Sequence, residues 1–211
     1  MRCRPKCPVT ITICYYPDDE KTRWILDWFS FHTNLRLKRL ALSLPELGRR
    51  SIGRNRAALA TDANIVWFAD VDHAWGYGCL DRLSEMEWPE SATLCYPKQV
   101  MIHKDHATGD RATSVVLEKD LQFAEIKTED FVPKSYRKAI GGVQIVQGDL
   151  ARDYGYLDGI ARWQTPRDDG LPFGDFRDDL AFRGVCRMYG KQVGIDLPGV
   201  YRIRHVRTTY Q

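Results

Sequence analysis

The sequence predicts a single α/β domain, spanning residues 1–211, whose mostly parallel central sheet is flanked by helices. Strand-like and helix-like segments alternate through its first third, an order typical of parallel sheets. The length of 211 residues suits one domain. A hydrophobic content of 44% and a charged content of 28% are typical of a globular protein. Residues 1–8 and 207–211 are predicted to be tails.

The elements of the first third follow from apolar patterning. β-branched and aromatic residues predict the first strand, which Pro17 ends. The elements after this strand are predicted from apolar and basic residues that recur at the spacing of a helix or of a strand. The predicted order is strand 9–16, helix 22–32, strand 35–44, a turn-rich connection 45–53, helix 54–62 and strand 64–69.

The later part of the chain is predicted to be more irregular. Two extended stretches joined by a polar turn at Gly109-Asp110 predict a small antiparallel hairpin insert within 93–118. A helix over 178–189 is predicted to end at Gly190. The other predicted elements are helix 80–87, a glycine step into strand 139–146, helix 149–156 and extended segments 192–197 and 200–206.

Cysteine usage and hydropathy indicate the compartment. The six cysteines lack the paired C-x-x-C spacing of a zinc site, so we expect free thiols in a reducing environment. No run approaches the eighteen apolar residues of a membrane-spanning helix, and the basic N-terminus precedes only a short apolar run. We therefore expect no transmembrane segment, no secretory signal and a cytoplasmic location.

Charge is distributed unevenly along the chain. Residues 1–56 contain 12 Lys and Arg against 5 Asp and Glu, whereas residues 57–200 contain 16 against 23. The last eleven residues add three Arg and no acidic residue. Basic ends around an acidic middle are consistent with an anionic ligand held beside a metal-binding centre, and equally with an ordinary solvated surface.

Asp70-Val71-Asp72 is the most informative motif, because it follows directly on the buried strand 64–69. Side chains two apart on a strand share a face, so we expect both carboxylates to point the same way. Like charges held so close need a cation or hydrogen-bond donors between them. His73 is expected outside this set, because successive strand residues diverge. The alternative is an Asp-rich turn after the strand.

Four motifs, in order, resemble those of GT-A-fold glycosyltransferases, particularly the large family 2-like group. The similarity covers roughly residues 9–205. Its parts are Gly53-Arg54-Asn55-Arg56 leading to the D-x-D, the step Gly141-Gly142, the Arg177-Asp178-Asp179 element, and a closing stretch from Asp196 to His205. The resemblance implies a GT-A-like domain that transfers sugar from a nucleotide-diphosphate sugar.

The same resemblance implies roles for individual residues. Asp72, Asp70 and His205 would hold Mn²⁺ or Mg²⁺, with manganese favoured because imidazole suits it better. Asp179 would be the general base of an inverting transfer, and Asp178 would assist it or orient the acceptor. The donor would contact Arg54, Asp70, Gly141 and Gly142, and its base would lie between Tyr15, Tyr16 and Pro17.

Several alternatives stay open at the sequence level. A UDP-sugar is favoured as donor, but the chain lacks the family's acidic motif after strand two, so the base is undetermined. The acceptor could be a glycan, a small molecule or a modified base in nucleic acid. The competing classes are a metal-dependent nucleotidyl or phosphoryl transferase and a non-catalytic binding module. These site residues also have ordinary structural explanations. Asp178 and Asp179 could be acidic residues that favour a helix N-terminus, Gly141-Gly142 could form a turn, and His205 could be a surface histidine.

Overall fold

The structure is a computed structural model that describes residues 5–33, 35–114, 127–167 and 177–205. Within these ranges the first half contains β1 (Thr10–Tyr15), α1 (Glu20–His32), β2 (Arg36–Ala41), α2 (Leu44–Leu47), α3 (Arg50–Leu59), β3 (Ile65–Phe68), β4 (His73–Trp75), α4 (Cys79–Ser84), β5 (Ala92–Pro97) and β6 (Gln99–His103). The second half contains α5 (His106–Ser114), a 3₁₀ turn (Thr128–Asp130), β7 (Phe131–Ser135), β8 (Gln144–Gln147), α6 (Gly148–Tyr154), α7 (Ala161–Gln164), α8 (Asp178–Tyr189), β9 (Lys191–Ile195) and β10 (Val200–Arg202).

The strands form three sheets, which confirms an α/β class but corrects the predicted topology. β1 and β2 pair in parallel as a two-stranded sheet. The central sheet has the order β3-β8-β5-β9, and β8 runs antiparallel to both of its neighbours. The third sheet, in the order β4-β10-β6-β7, is also mixed. The expectation of one mostly parallel sheet was wrong, because an apolar run predicts burial but not strand direction.

The predicted hairpin insert was also wrong. β5 and β6 are separated by Lys98 alone and belong to different sheets. The expected turn at Gly109-Asp110 lies inside α5, whose start is fixed by Asp105, since its carboxylate accepts the amide of Thr108 at 2.7 Å. Gly109 is needed for a close approach, because a Cβ there would lie 1.5 Å from the carbonyl oxygen of Arg204. Residues 115–118 of that prediction lie outside the described ranges.

The helices that approach the site agree better with the sequence. α8 begins at Asp178 and is ended by Gly190, as predicted. α3 begins at Arg50, one turn before the predicted start. Gly53 lies inside α3 because it packs on β1, where a Cβ would come within 2.4 Å of the Cys14 sulfur. This contact joins β1 to the helix that carries the site's arginines.

The core lies between the central sheet and its helices. β5 and β8 are its most buried strands. Three stacked or edge-on rings, Phe68, Tyr156 and Phe182, have centroids 4.3 to 5.3 Å apart. These rings pack the end of β3 against the first turns of α8, so apolar contacts fix the relative position of these two elements. No helix among the described residues is long and apolar enough to cross a bilayer.

Candidate functional site

The D-x-D motif lies in a turn and not on a strand. β3 ends at Phe68, and the amide of His73 donates to the carbonyl of Asp70 at 3.2 Å, which closes the turn. The strand-face argument for Asp70 and Asp72 therefore does not apply. Each of these two carboxylates contacts its own set of cationic side chains.

Asp70 belongs to a group of four charges, Arg50, Arg54, Asp70 and Asp178, here called the arginine cluster. One Asp70 oxygen accepts from Arg54 at 2.7 Å and from Arg50 at 3.2 Å. Arg50 also donates a hydrogen bond to each oxygen of Asp178, at 2.5 and 3.2 Å. Arg54 is 3.8 Å from Asp178. Two guanidinium groups and two carboxylates thus neutralise one another.

Burial strengthens the attraction between the opposite charges of this cluster. The Asp178 side chain is only 3% exposed and the Arg54 side chain 9%. Burial by itself lowers the pKa of Arg50, but the hydrogen bonds and charge of Asp178, with the charge of Asp70, raise that pKa above its ordinary value. The Arg50 guanidinium is therefore charged throughout the physiological range.

A hydrogen-bond chain continues from Arg54 into the core. Arg54 donates to the Tyr156 hydroxyl at 3.0 Å, and that hydroxyl donates to Gln144 at 3.1 Å. Gln144, fully buried on β8, donates to the carbonyl of Asp179 at 2.9 Å. Burial is the main cause that raises the pKa of Tyr156, so the phenol stays neutral. This series of hydrogen bonds fixes the positions of α3, β8 and the start of α8 relative to one another.

The glycine step provides a further connection between the motifs. The amide of Gly141 donates to the Asp179 carboxylate at 2.8 Å. A Cβ on Gly141 would lie 3.3 Å from Oδ2 of Asp70, and one on Gly142 would lie 2.4 Å from the Asp70 amide nitrogen. Gly141 also has a φ of +52°. Only glycines let this segment pass between the D-x-D turn and α8.

Asp72 lies in a second group with His73 and Arg202, here called the Asp72 corner. One Asp72 oxygen accepts from Arg202 at 3.0 Å. The other is 2.8 Å from His73 Nδ1 but is oriented so that neither it nor either His73 ring nitrogen has a hydrogen-bond partner within the described residues. Burial raises the pKa of Asp72, but His73 and Arg202 outweigh it and lower the pKa to about 2.

The C-terminal segment returns to this corner. β10 pairs with β4 so that Arg202 faces His73, and the amide of Ile203 donates to the carbonyl of Asp72 at 2.7 Å. His205 follows two residues later and is exposed. The backbone therefore reaches the D-x-D turn at Ile203, and the place of His205 in a ligand set stays a prediction.

The predicted base-binding segment lies at the end of β1. Tyr15 is the last residue of β1, and the Tyr16 hydroxyl donates to Asp18 at 2.7 Å. Pro17 follows and ends the strand. β1 and β3 belong to different sheets, and β1 packs through Cys14 on Gly53 of α3, the helix that carries Arg50 and Arg54. Contact of Tyr15, Tyr16 and Pro17 with a nucleotide base remains a prediction.

One oxygen of the Asp72 corner is a candidate ligand for a cation that is shared with a bound substrate. Among the residues that the structure describes, no three His, Cys, Asp or Glu side chains are grouped to hold a metal by themselves. The buried Asp72 oxygen that makes no hydrogen bond, 2.8 Å from His73 Nδ1, nevertheless offers a carboxylate ligand. Such a cation would be held by Asp72 and completed by phosphate oxygens and water, as Mg²⁺ and related ions commonly are.

Sequence reasoning missed several residues of the site. Arg50 was assigned to a turn-rich connection, although its i, i+4 spacing from Arg54 places both on one helix face. His73 and Arg202 were not assigned to the site, and Tyr156 and Gln144 gave no sequence signal, because a buried polar residue in an apolar run is recognised only once its partners are known.

Comparison with known proteins adds no family to this geometry. A scan against protein-family models finds no match, and a search of the curated proteins finds none either. The functional assignment therefore depends on the residues themselves.

Proposed function

We propose that this chain is a metal-dependent, inverting glycosyltransferase that moves a sugar from a nucleotide-diphosphate sugar, with UDP favoured, to an acceptor hydroxyl. The observation that carries the proposal is spatial. Segments around residues 54, 70, 141 and 179 are far apart in sequence, yet hydrogen bonds and van der Waals contacts join them into one site. Independent surface features would have no reason to converge in this way.

The proposed cation, and not the arginine cluster, would stabilise a diphosphate leaving group, because the four charges of the cluster already neutralise one another. Negative charge accumulates on the diphosphate as its bond to the sugar breaks, and preorganised positive groups lower the energy of that state. A divalent cation, when bound, would neutralise part of this charge. Asp72 would hold it through the oxygen that lacks a hydrogen bond, and His205 is the proposed second protein ligand.

Asp179 is proposed as the general base. Its Oδ2 is fixed by the amide of Gly141, which leaves Oδ1 to accept a proton from the acceptor. The acceptor oxygen would attack the anomeric carbon as its proton passes to Asp179, and the diphosphate would leave with the electron pair of the broken bond. Attack opposite the leaving group inverts the anomeric configuration.

The acceptor is proposed to be a glycan or a small molecule before a nucleic acid. The basic side chains of β2 face acidic partners, since Arg36 and Lys38 pair with Asp62 and Arg39 pairs with Asp27. Paired cations release few counterions from a phosphate backbone. Steeply salt-dependent DNA binding would instead favour a nucleic-acid acceptor. The cytoplasmic location predicted from the sequence stays part of the proposal.

The test is a donor screen with product identification. Purified protein is incubated with UDP-, GDP-, CMP- and dTDP-sugars, with Mn²⁺ or with EDTA, and the released nucleotide is identified. The proposal expects Mn²⁺-dependent release of a nucleoside diphosphate, which EDTA abolishes. Release of a nucleoside monophosphate from UDP-sugar would indicate a phosphoryl or nucleotidyl transferase. Release that EDTA leaves unchanged would contradict the metal mechanism.

A matched pair of variants ties this activity to the site. Asp72→Asn removes the charge proposed to hold the cation, so we expect nucleotide release to fall at least about 100-fold. Asp62→Asn is the control, because Asp62 is an exposed carboxylate that also pairs with cationic side chains. Equal activities of the two variants would exclude Asp72 from the cation site.

A further inference from the structure

Arg50 spans two carboxylates that come from different parts of the chain. Its Nε and Nη2 contact the two oxygens of Asp178, at the start of α8, and its Nη1 contacts Asp70, in the turn after β3. A guanidinium group is the one side chain whose rigid fork can make both contacts at once.

The two carboxylates depend on Arg50 to different degrees. Asp70 has a second close partner in Arg54, at 2.7 Å. Asp178 has Arg54 only at 3.8 Å, beyond hydrogen-bond distance. Loss of the Arg50 fork would therefore disturb the start of α8 more than the D-x-D turn.

The start of α8 is also where the proposed base lies. Asp179 is the next residue after Asp178, and its backbone carbonyl and its carboxylate are held by Gln144 and Gly141. These two contacts fix Asp179 from the side of β8. The Arg50 fork fixes the preceding residue from the side of α3. The first turn of α8 is thus held from both sides of the site.

We propose that Arg50 is a positioning residue that sets the orientation of the proposed base Asp179 by holding Asp178 against the donor-side carboxylate Asp70. The inference rests on the proposed function and goes beyond it, since it gives a role to a residue whose hydrogen bonds go to Asp178 and Asp70 and not to the proposed base. A displacement of about 1 Å at a reacting group can cost on the order of 100-fold in rate.

The variants Arg50→Lys and Arg50→Gln separate the fork from the charge. Arg50→Lys keeps the positive charge and loses the fork, so it also guards against loss of folding. Arg56→Lys and Arg56→Gln are the matched controls, because Arg56 lies on the same helix and pairs with a carboxylate, Glu46, at the exposed surface. All four variants are assayed well below their melting temperatures.

The first measurement is the division of the kinetic effect between kcat and KM for the donor. We expect Arg50→Lys to lower kcat by about 10- to 100-fold while the donor KM changes less than about threefold, because Arg54 still holds Asp70. Both Arg56 variants should match the wild type. A purely structural role would lower the active fraction and the melting temperature together.

The second measurement does not use activity. Hydrogen exchange in the ligand-free protein reports opening of the first turn of α8, where the Ala181 amide donates to the Arg177 carbonyl at 3.0 Å. We expect exchange there to be at least about tenfold faster in Arg50→Lys than in Arg56→Lys.

The outcomes distinguish the inference from the proposed function. A wild type that consumes no nucleotide-sugar overturns the proposed function, and with it the role of Arg50 in positioning a base. An active wild type with Arg50 variants that match the Arg56 variants in kcat and in exchange overturns the inference alone.

Discussion

Asp70 and Asp72 are two residues apart, yet their surroundings differ in kind. Asp70 shares one oxygen between two guanidinium groups within a neutral cluster of four charges. Asp72 has one guanidinium partner and a second, buried oxygen that makes no hydrogen bond to any residue the structure describes. The turn at Asp70 to His73 is what sends the two carboxylates to different partners.

The difference indicates that Asp70 and Asp72 have separate roles within one motif. A carboxylate surrounded by cations is already neutralised and serves to hold α3, the turn and α8 together. The second Asp72 oxygen makes no hydrogen bond to the residues that the structure describes, so it is the oxygen proposed to bind a cation. The arginine cluster is therefore expected to affect stability most strongly, and the Asp72 corner to affect ligand binding.

The largest expected effect is on catalysis, at the residue adjoining the arginine cluster. Asp179→Asn keeps the size of the side chain but removes the proton acceptor, so we expect transfer to fall by about 10² to 10⁴-fold. The free energy of unfolding should change by less than about 1 kcal/mol, because an amide oxygen can still accept from Gly141. Steady-state transfer assays and urea melts measure both. Wild-type transfer in this variant would exclude Asp179 as the base.

The next largest effect is on stability, within the arginine cluster. Asp178→Asn removes a buried charge and leaves Arg50 and Arg54 with one carboxylate between them, so we expect a loss on the order of 3 kcal/mol. Asp196→Asn is the control, since Asp196 pairs with Lys98 at the surface, and it should cost less than about 1 kcal/mol. Equal urea midpoints for the two variants would mean that the cluster contributes no special stability.

The Asp72 corner predicts a response to acid. The pKa of Asp72 is about 2 against an ordinary 3.8, so its contribution is complete above about pH 4 and is lost as the pH falls through 2. The loss is on the order of 2 kcal/mol. Urea unfolding followed from pH 5 to pH 2 should show a shallower decline in Arg202→Gln than in the wild type. Lys98→Gln, at an exposed pair, should leave the wild-type decline unchanged.

The smallest effect is expected at the glycine step. Gly141→Ala places a side chain at a φ of +52° and should cost about 1 kcal/mol. Gly159→Ala is the matched control, since Gly159 has a φ of +68° and open space around its Cβ position. Both variants should lose similar stability in thermal melts. Only Gly141→Ala should also slow transfer, because its Cβ faces Asp70 at 3.3 Å.

The sequence predicted those parts of the fold that local chemistry specifies. Asp178 and Gly190 mark the ends of α8, and both were identified, because acidic residues and glycine have direct effects at helix termini. The antiparallel direction of β8 was missed, because the pairing partners of a buried strand are set by the whole sheet.

The acidic members of the candidate site and Arg54 were predicted from the sequence, whereas Arg50 and Arg202 were missed. The segment 45–53 was predicted to be a turn-rich connection, although Gly53 is required by the packing of α3 on Cys14. The start of α3 was therefore placed one turn late, and Arg50 was left off the helix. Long-range contacts such as that between Asp72 and Arg202, 130 residues apart, have no local signature.

The most direct test of a donor site at the D-x-D turn is ligand-induced thermal stabilisation. A ligand that binds only the folded protein raises the melting temperature. We predict that UDP-sugar raises it with Mn²⁺ but not with EDTA, and that Asp72→Asn abolishes the increase while Asp62→Asn retains it. An increase that is the same with EDTA, or the same in Asp72→Asn, would contradict a cation held at Asp72.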